Sequence, residues 1–220
     1  MPAFAHLVTS NGPTARTPGK PRRLSNGRLL SVTSATLRHM TESVPQTFAQ
    51  TWPDDTRPPL PDTGDERETL VAFLDHHRQT FELKCLGVPP EHLSDLGVPP
   101  SKLSLHGLIR HLADVERWWF RQQFAKEDIP GLYYTEEDPD RDFETLDGDP
   151  AEALARWREE CAVAREIVAR AASLDETCVR FSTGKPISLR RIMVHMIAEY
   201  ARHNGHADLL RERIDGKTGF

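Results

Sequence analysis

Cysteine is scarce in this 220-residue chain: Cys85, Cys161 and Cys178 are the only three, and no two are closely spaced. An odd, sparse set argues against a disulfide scaffold and for a reduced intracellular protein, so a cytoplasmic location is expected. No run of 18 apolar residues occurs, which argues against a membrane-spanning helix. Basic charge is not in excess, with a formal net charge of −5 and a pI near 6.1. That balance is against a dedicated nucleic-acid binder. There is no glycine-rich phosphate loop, no Ser-His-Asp order and no cysteine pair spaced for structural zinc. Hydrophobic residues make up 38%, enough for one core, and histidine is plentiful at ten.

Charge is uneven along the chain. Residues 1–40 carry Arg16, Lys20, Arg22, Arg23, Arg28 and Arg38 and no acid, which leaves a net charge of −11 on the remainder. Nine of the 17 prolines fall in the first 61 residues, and no helical or alternating period survives there. Such a segment buries too little apolar surface to offset its ordering entropy, so residues 1–60 are expected to be a disordered extension of a domain spanning 61–220. The acid-free start also has the composition of an organellar transit peptide. An initiation site at Met40 is the simpler alternative.

From residue 65 the chain becomes periodic, and four helices are expected. The first runs from Asp65 to Cys85 with an inward stripe of Leu70, Phe73, Leu74, His77 and Phe81. The second, capped by Ser104, reaches Phe124 and carries a wide apolar face that includes Leu108, Leu112, Val115 and Trp119. The acidic stretch from Glu136 to Asp149 reads first as a solvated loop, the alternative being that it edges a site. Asp149-Pro150 opens the third helix, whose stripe includes Trp157, Cys161 and Ala164. The fourth runs from Ser188 to Asp215, with Gly216 as its cap. Four helices with one long crossover indicate an all-α four-helix bundle.

The fourth helix is the informative one. Its stripe reads Ile192, Met196, Glu199, His203, His206, Leu210, so three consecutive seam positions are ionisable. Burying Glu199 alone would cost several kcal/mol unless it is paired or bound to a cation. Glu199 and His203 stand one turn apart and can converge on one point, as ligands of a divalent metal do. A plain buried Glu–His ion pair remains the simpler reading. A third ligand must come from another helix, and His111, flanking the apolar face of the second, is the best candidate. His106 falls with Arg110 and Arg117 on the polar side and is set aside. His77 reads first as a hydrogen-bonded core histidine and His195 as a partly exposed one. His206 is placed behind the ligands or facing substrate. Cys161 reads as a small apolar residue.

Two stretches resemble a known family. Ser104 to Phe120, SLHGLIRHLADVERWWF, is similar to the second helix of the DinB-like superfamily, closest to the branch called mini-circle proteins. His195 to Glu212, HMIAEYARHNGHADLLRE, resembles the last helix of the same branch. The resemblance implies an up-down-down-up bundle holding a metal on three side chains, which fall on His111, Glu199 and His203. Many members have histidine where this chain has Glu199; the branch similar to mycothiol-dependent maleylpyruvate isomerase shares the glutamate.

Members with known chemistry use a low-molecular-weight thiol such as mycothiol or bacillithiol. The resemblance therefore implies a metal-dependent thiol S-transferase or isomerase acting on a small-molecule thiol or electrophile. Zinc or nickel suits a site that must accept sulfur. His77 or His206 would move the proton. A homodimer is compatible with it. The alternative is a non-enzymatic, metal-stabilised bundle acting as a stress-linked interaction module.

Overall fold

The structure, a computed structural model, describes residues 55–217. The expected disordered extension, the transit-peptide reading and the Met40 start lie outside the described residues, apart from 55–60. There Arg57 donates to Thr80 Oγ1 at 2.6 Å.

Four long helices form the bundle. Helix α1 (Glu66–Cys85) opens on a capping box in which Asp65 and Glu68 satisfy each other's backbone N–H groups. Helix α2 (Leu105–Glu116) is capped by Ser104, whose Oγ accepts from Gly107 N, and continues as a π-helical stretch, Arg117–Phe124. A short helix, α3 (Arg141–Glu144), lies in the crossover. Helix α4 (Pro150–Arg170) begins at Asp149, which accepts from Ala151 N. A small antiparallel hairpin, β1 (Thr177–Val179) with β2 (Pro186–Ser188), leads into helix α5 (Leu189–Asp215). Gly216 ends α5 at φ 76°, a left-handed cap that glycine adopts without strain.

Contacts between helices fix their directions. Arg67 near the start of α1 donates to the Val168 and Ala171 carbonyls at the end of α4, so those two run antiparallel. Arg190 pairs with Glu66 and Arg211 with the Lys84 carbonyl, so α5 runs parallel to α1. Trp119 meets His195 and His111 meets His203, so α2 opposes α5. The order is up-down-down-up. Arg211, fully buried, donates to the carbonyls of Lys84 and Leu86, placing a cation at the negative end of α1.

The core contains more charge than the periodicity indicates. Phe73, expected inside, is 37% exposed, while Arg78 is buried in its place on α1. The cause is Glu116, which Arg78 grips with two hydrogen bonds of 2.7 Å. Tyr200 donates to the same carboxylate at 2.7 Å, and Trp157 Nε1 donates to the Tyr200 hydroxyl at 2.8 Å. Cys161, read as a small apolar residue, also points its thiol at Glu116, with Sγ 3.7 Å from Oε1. Each of the four long helices thus contributes to one buried polar cluster. Around it packs the apolar core, with Leu74, Phe81, Leu108, Leu112, Met196 and Leu210 almost wholly enclosed, each worth about 1.5–3 kcal/mol by burial.

The polar side of α2 is also buried. All of Leu105–Glu116 is enclosed, because the linker before α2 and the crossover after it wrap the face away from the bundle. His106 sits against Ser94 Oγ at 3.0 Å, and Arg117 pairs with Glu160 at 2.6 Å.

Removing the countercharge at the centre should be severe. Glu116→Gln leaves the buried Arg78 guanidinium with only the part-exposed Asp75 carboxylate, 2.9 Å away, and should cost about 3–5 kcal/mol in urea denaturation. The paired change Arg78→Met with Glu116→Leu should recover most of that loss. A Glu116→Gln cost under about 1 kcal/mol would contradict the role given to the cluster.

Candidate metal centre

His111, Glu199 and His203 come together between α2 and α5. Their ligand atoms lie within 4.8 Å of one another, and all three residues are buried. Glu199 and His203 converge because they stand one turn apart on α5, with His203 Nε2 3.5 Å from Glu199 Oε2. His111 arrives from α2 with its ring centroid 4.8 Å from that of His203.

Neighbouring groups orient the three. His111 Nδ1 lies 2.7 Å from Asp142 Oδ2 on α3. A carboxylate can only accept, so Nδ1 carries the hydrogen, and the neutral ring then has its lone pair on Nε2. Phe143 stacks on the same imidazole, with centroids 4.6 Å apart. His203 Nδ1 lies 3.3 Å from His206 Nδ1, a contact in which either nitrogen can donate. His195 Nε2 stands 3.5 Å from Glu199 Oε1, too far for a good hydrogen bond, and its ring packs on Trp119.

The charge states suit a cation. The His203 imidazole, 3.5 Å away, holds the Glu199 carboxyl below its ordinary pKa, ahead of the burial that acts the other way. Burial lowers the pKa of His203, His206, His195 and His77, so these rings are neutral near pH 7. A carboxylate and imidazole lone pairs in a buried cluster are the donor set a divalent ion requires, and these residues fit one.

The other expected residues are placed as follows. His206 touches His203. His77 is half-buried and does not join the three; its carbonyl accepts from Asn204 Nδ2 at 3.1 Å. His106 is held by Ser94, away from the cluster. The acidic stretch departs from its first reading as a solvated loop. Its Asp142 is 4% exposed and touches a candidate ligand. No periodic signal marked Asp142, which stands 31 residues from His111 in the chain.

The comparisons with known proteins add a family. A family model described as mycothiol S-transferase matches residues 69–216. The chain belongs to the mycothiol S-transferase family. This family is DinB-like. No curated protein matches the chain in sequence. Among solved structures, YfiT from Bacillus subtilis, described as a probable metal-dependent hydrolase with an unusual four-helix bundle topology, is similar at 14% identity and a TM-score of 0.54. That match covers 73% of this chain and 94% of YfiT. A conserved protein from Enterococcus faecalis is similar at 16% identity and a TM-score of 0.51, covering 70% of this chain and all of that one. At such identities both support the fold.

Asp114, three residues beyond His111, anchors the crossover. Its carboxylate accepts from the backbone N–H groups of Leu132, Tyr133 and Tyr134 at 2.6–3.1 Å. Burial nonetheless raises its pKa from 3.8 to about 6, the three N–H groups opposing the shift. The folded value lies above the unfolded one, so ionisation works against the fold. Stability should fall as pH rises from about 4 to about 6, by up to roughly 3 kcal/mol from this group, and level off above. Asp114→Asn cannot ionise. In urea titrations at pH 4.5 and 7.5, the stability of wild type relative to this variant should drop at the higher pH. Parallel behaviour would contradict the assignment.

Proposed function

We propose that this protein is a metal-dependent thiol S-transferase in which His111, Glu199 and His203 hold one divalent ion. The convergence of these three buried donors carries the reading, and the family match supports it. Zinc or nickel suits the site, because the incoming ligand is sulfur. An ion held there by His111, Glu199 and His203 would lower the pKa of a small thiol, mycothiol or bacillithiol, and would make thiolate available near neutrality.

The chain's own residues supply the rest. Glu199 and the two imidazoles would hold the ion at which the sulfur binds, and His206, half-buried and neutral, accepts the thiol proton. His77 is the alternative acceptor. The sulfur lone pair forms a bond to an electrophilic carbon, and the leaving group departs with its bonding pair and takes up the proton. An isomerase would use the same thiolate. The nucleophile comes from outside the chain, because Cys85, Cys161 and Cys178 are all buried and burial raises each thiol pKa.

A cavity of about 710 Å³ opens beside the crossover. Trp118, Tyr133, Tyr134 and Phe181 line it, and Arg141, the neighbour of Asp142, forms part of its wall. Trp118 stands seven residues beyond His111, two turns along the same face. The cavity's lining includes none of His111, Glu199 and His203. The reaction runs between two small molecules, needs no nucleic acid or membrane, and is compatible with a homodimer in the cytoplasm.

Elemental analysis should find one divalent ion per chain. Glu199→Ala and His203→Ala should each abolish it, and His106→Ala should not. Calorimetry of the loaded protein should show mycothiol or bacillithiol binding that disappears with chelation and returns with metal. Metal uptake without binding of any thiol, and without thiol-dependent turnover of electrophiles, would favour the non-enzymatic module.

A further inference from the structure

The crossover between α2 and α4 is fastened to α2 at Gly107, Arg110, His111 and Asp114, spaced along one side of the helix. Gly107 makes room for Phe143: a Cβ there would meet the Phe143 ring at 3.2 Å and its Cα at 3.4 Å. Arg110, 1% exposed, donates to the Thr145 carbonyl, to the Asp147 carbonyl and carboxylate at 3.1 Å, and to the Arg141 carbonyl at 3.3 Å. His111 holds Asp142 and stacks on Phe143. Asp114 gathers Leu132, Tyr133 and Tyr134.

Helix α3 has only four residues, far too few to be stable alone. Its position depends on these contacts, and Asp142 is the residue of α3 whose side chain hydrogen-bonds a candidate ligand. Asp142 Oδ2 takes His111, while Oδ1 is buried with no hydrogen-bond partner. A buried carboxylate oxygen left unanswered costs stability, and apolar packing has no use for it. Its service is to His111: it fixes the tautomer, holds the ring plane and makes Nε2 a stronger donor.

We propose that Asp142 is a positioning residue for the metal centre, and that the strap around α3 and the ion are coupled through His111. The inference rests on the reading of His111, Glu199 and His203 as ligands. Coupling is reciprocal, so a strap that tightens metal binding must itself be tightened by the metal.

Two measurements on the full chain test this. Zinc affinity, from competition with a chromophoric chelator, should fall about 10–100-fold in Asp142→Ala, and the visible spectrum of its cobalt-substituted form should shift. In wild type, amide exchange over residues 138–147 should slow when zinc is added, and that slowing should be largely lost in Asp142→Ala. Wild-type zinc affinity in Asp142→Ala, or a wild-type strap indifferent to zinc, overturns the inference. If Asp142→Ala fails to fold, the wild-type exchange experiment decides alone. A wild-type chain that takes up no zinc overturns the ligand reading itself.

Discussion

A carboxylate with no access to water sits at the centre of this bundle, and the packing is arranged around it. Glu116 is fully enclosed, and its charge is answered by Arg78 from α1 and Tyr200 from α5, with Trp157 of α4 holding the tyrosine in turn. Buried polar clusters add little net stability compared with apolar packing, but they are intolerant of misplacement. A slide of any helix along its axis would break a hydrogen bond that water cannot replace. The cluster therefore sets the register of four helices at once.

That register is what the candidate metal centre uses. Tyr200 follows Glu199 in the chain, and Glu116 lies five residues beyond His111 on the same helix. Fixing Tyr200 on Glu116 also fixes how far His111 stands from Glu199 and His203. The site is thus built on two rigid helices locked to each other a short distance away. The third component, the α3 strap, is held by polar contacts of its own. The candidate ligand pair on α5 and the third candidate on α2 thus stand on rigid elements, with the α3 strap beside them.

Much of this was legible in the sequence, for identifiable reasons. Helix ends at Ser104, Asp149 and Gly216 followed from capping chemistry, which is local and needs no knowledge of packing. The seam of α5 stood out because ionisable residues occupied positions a core would fill with leucine. The alternating pattern failed where tertiary contacts override local character. Arg78 reads as a surface residue until Glu116 is placed opposite it, which turned the predicted face of α1 and left Phe73 outside. His106 and Arg110 read as a solvent face because nothing in periodicity shows a crossover folding back over α2. Asp142 was hidden for the same reason, its partnership with His111 being a long-range contact from an irregular segment.

The central claim is that two imidazoles and one carboxylate of the chain hold an ion that then accepts sulfur from outside. X-ray absorption at the metal edge, recorded on the zinc-loaded protein before and after addition of mycothiol, reads both halves directly. The account predicts a first shell of nitrogen and oxygen with imidazole scattering and no sulfur, followed by one sulfur at about 2.3 Å when the thiol is present. Sulfur in the shell before any thiol is added, or a shell that mycothiol leaves unchanged, would contradict it.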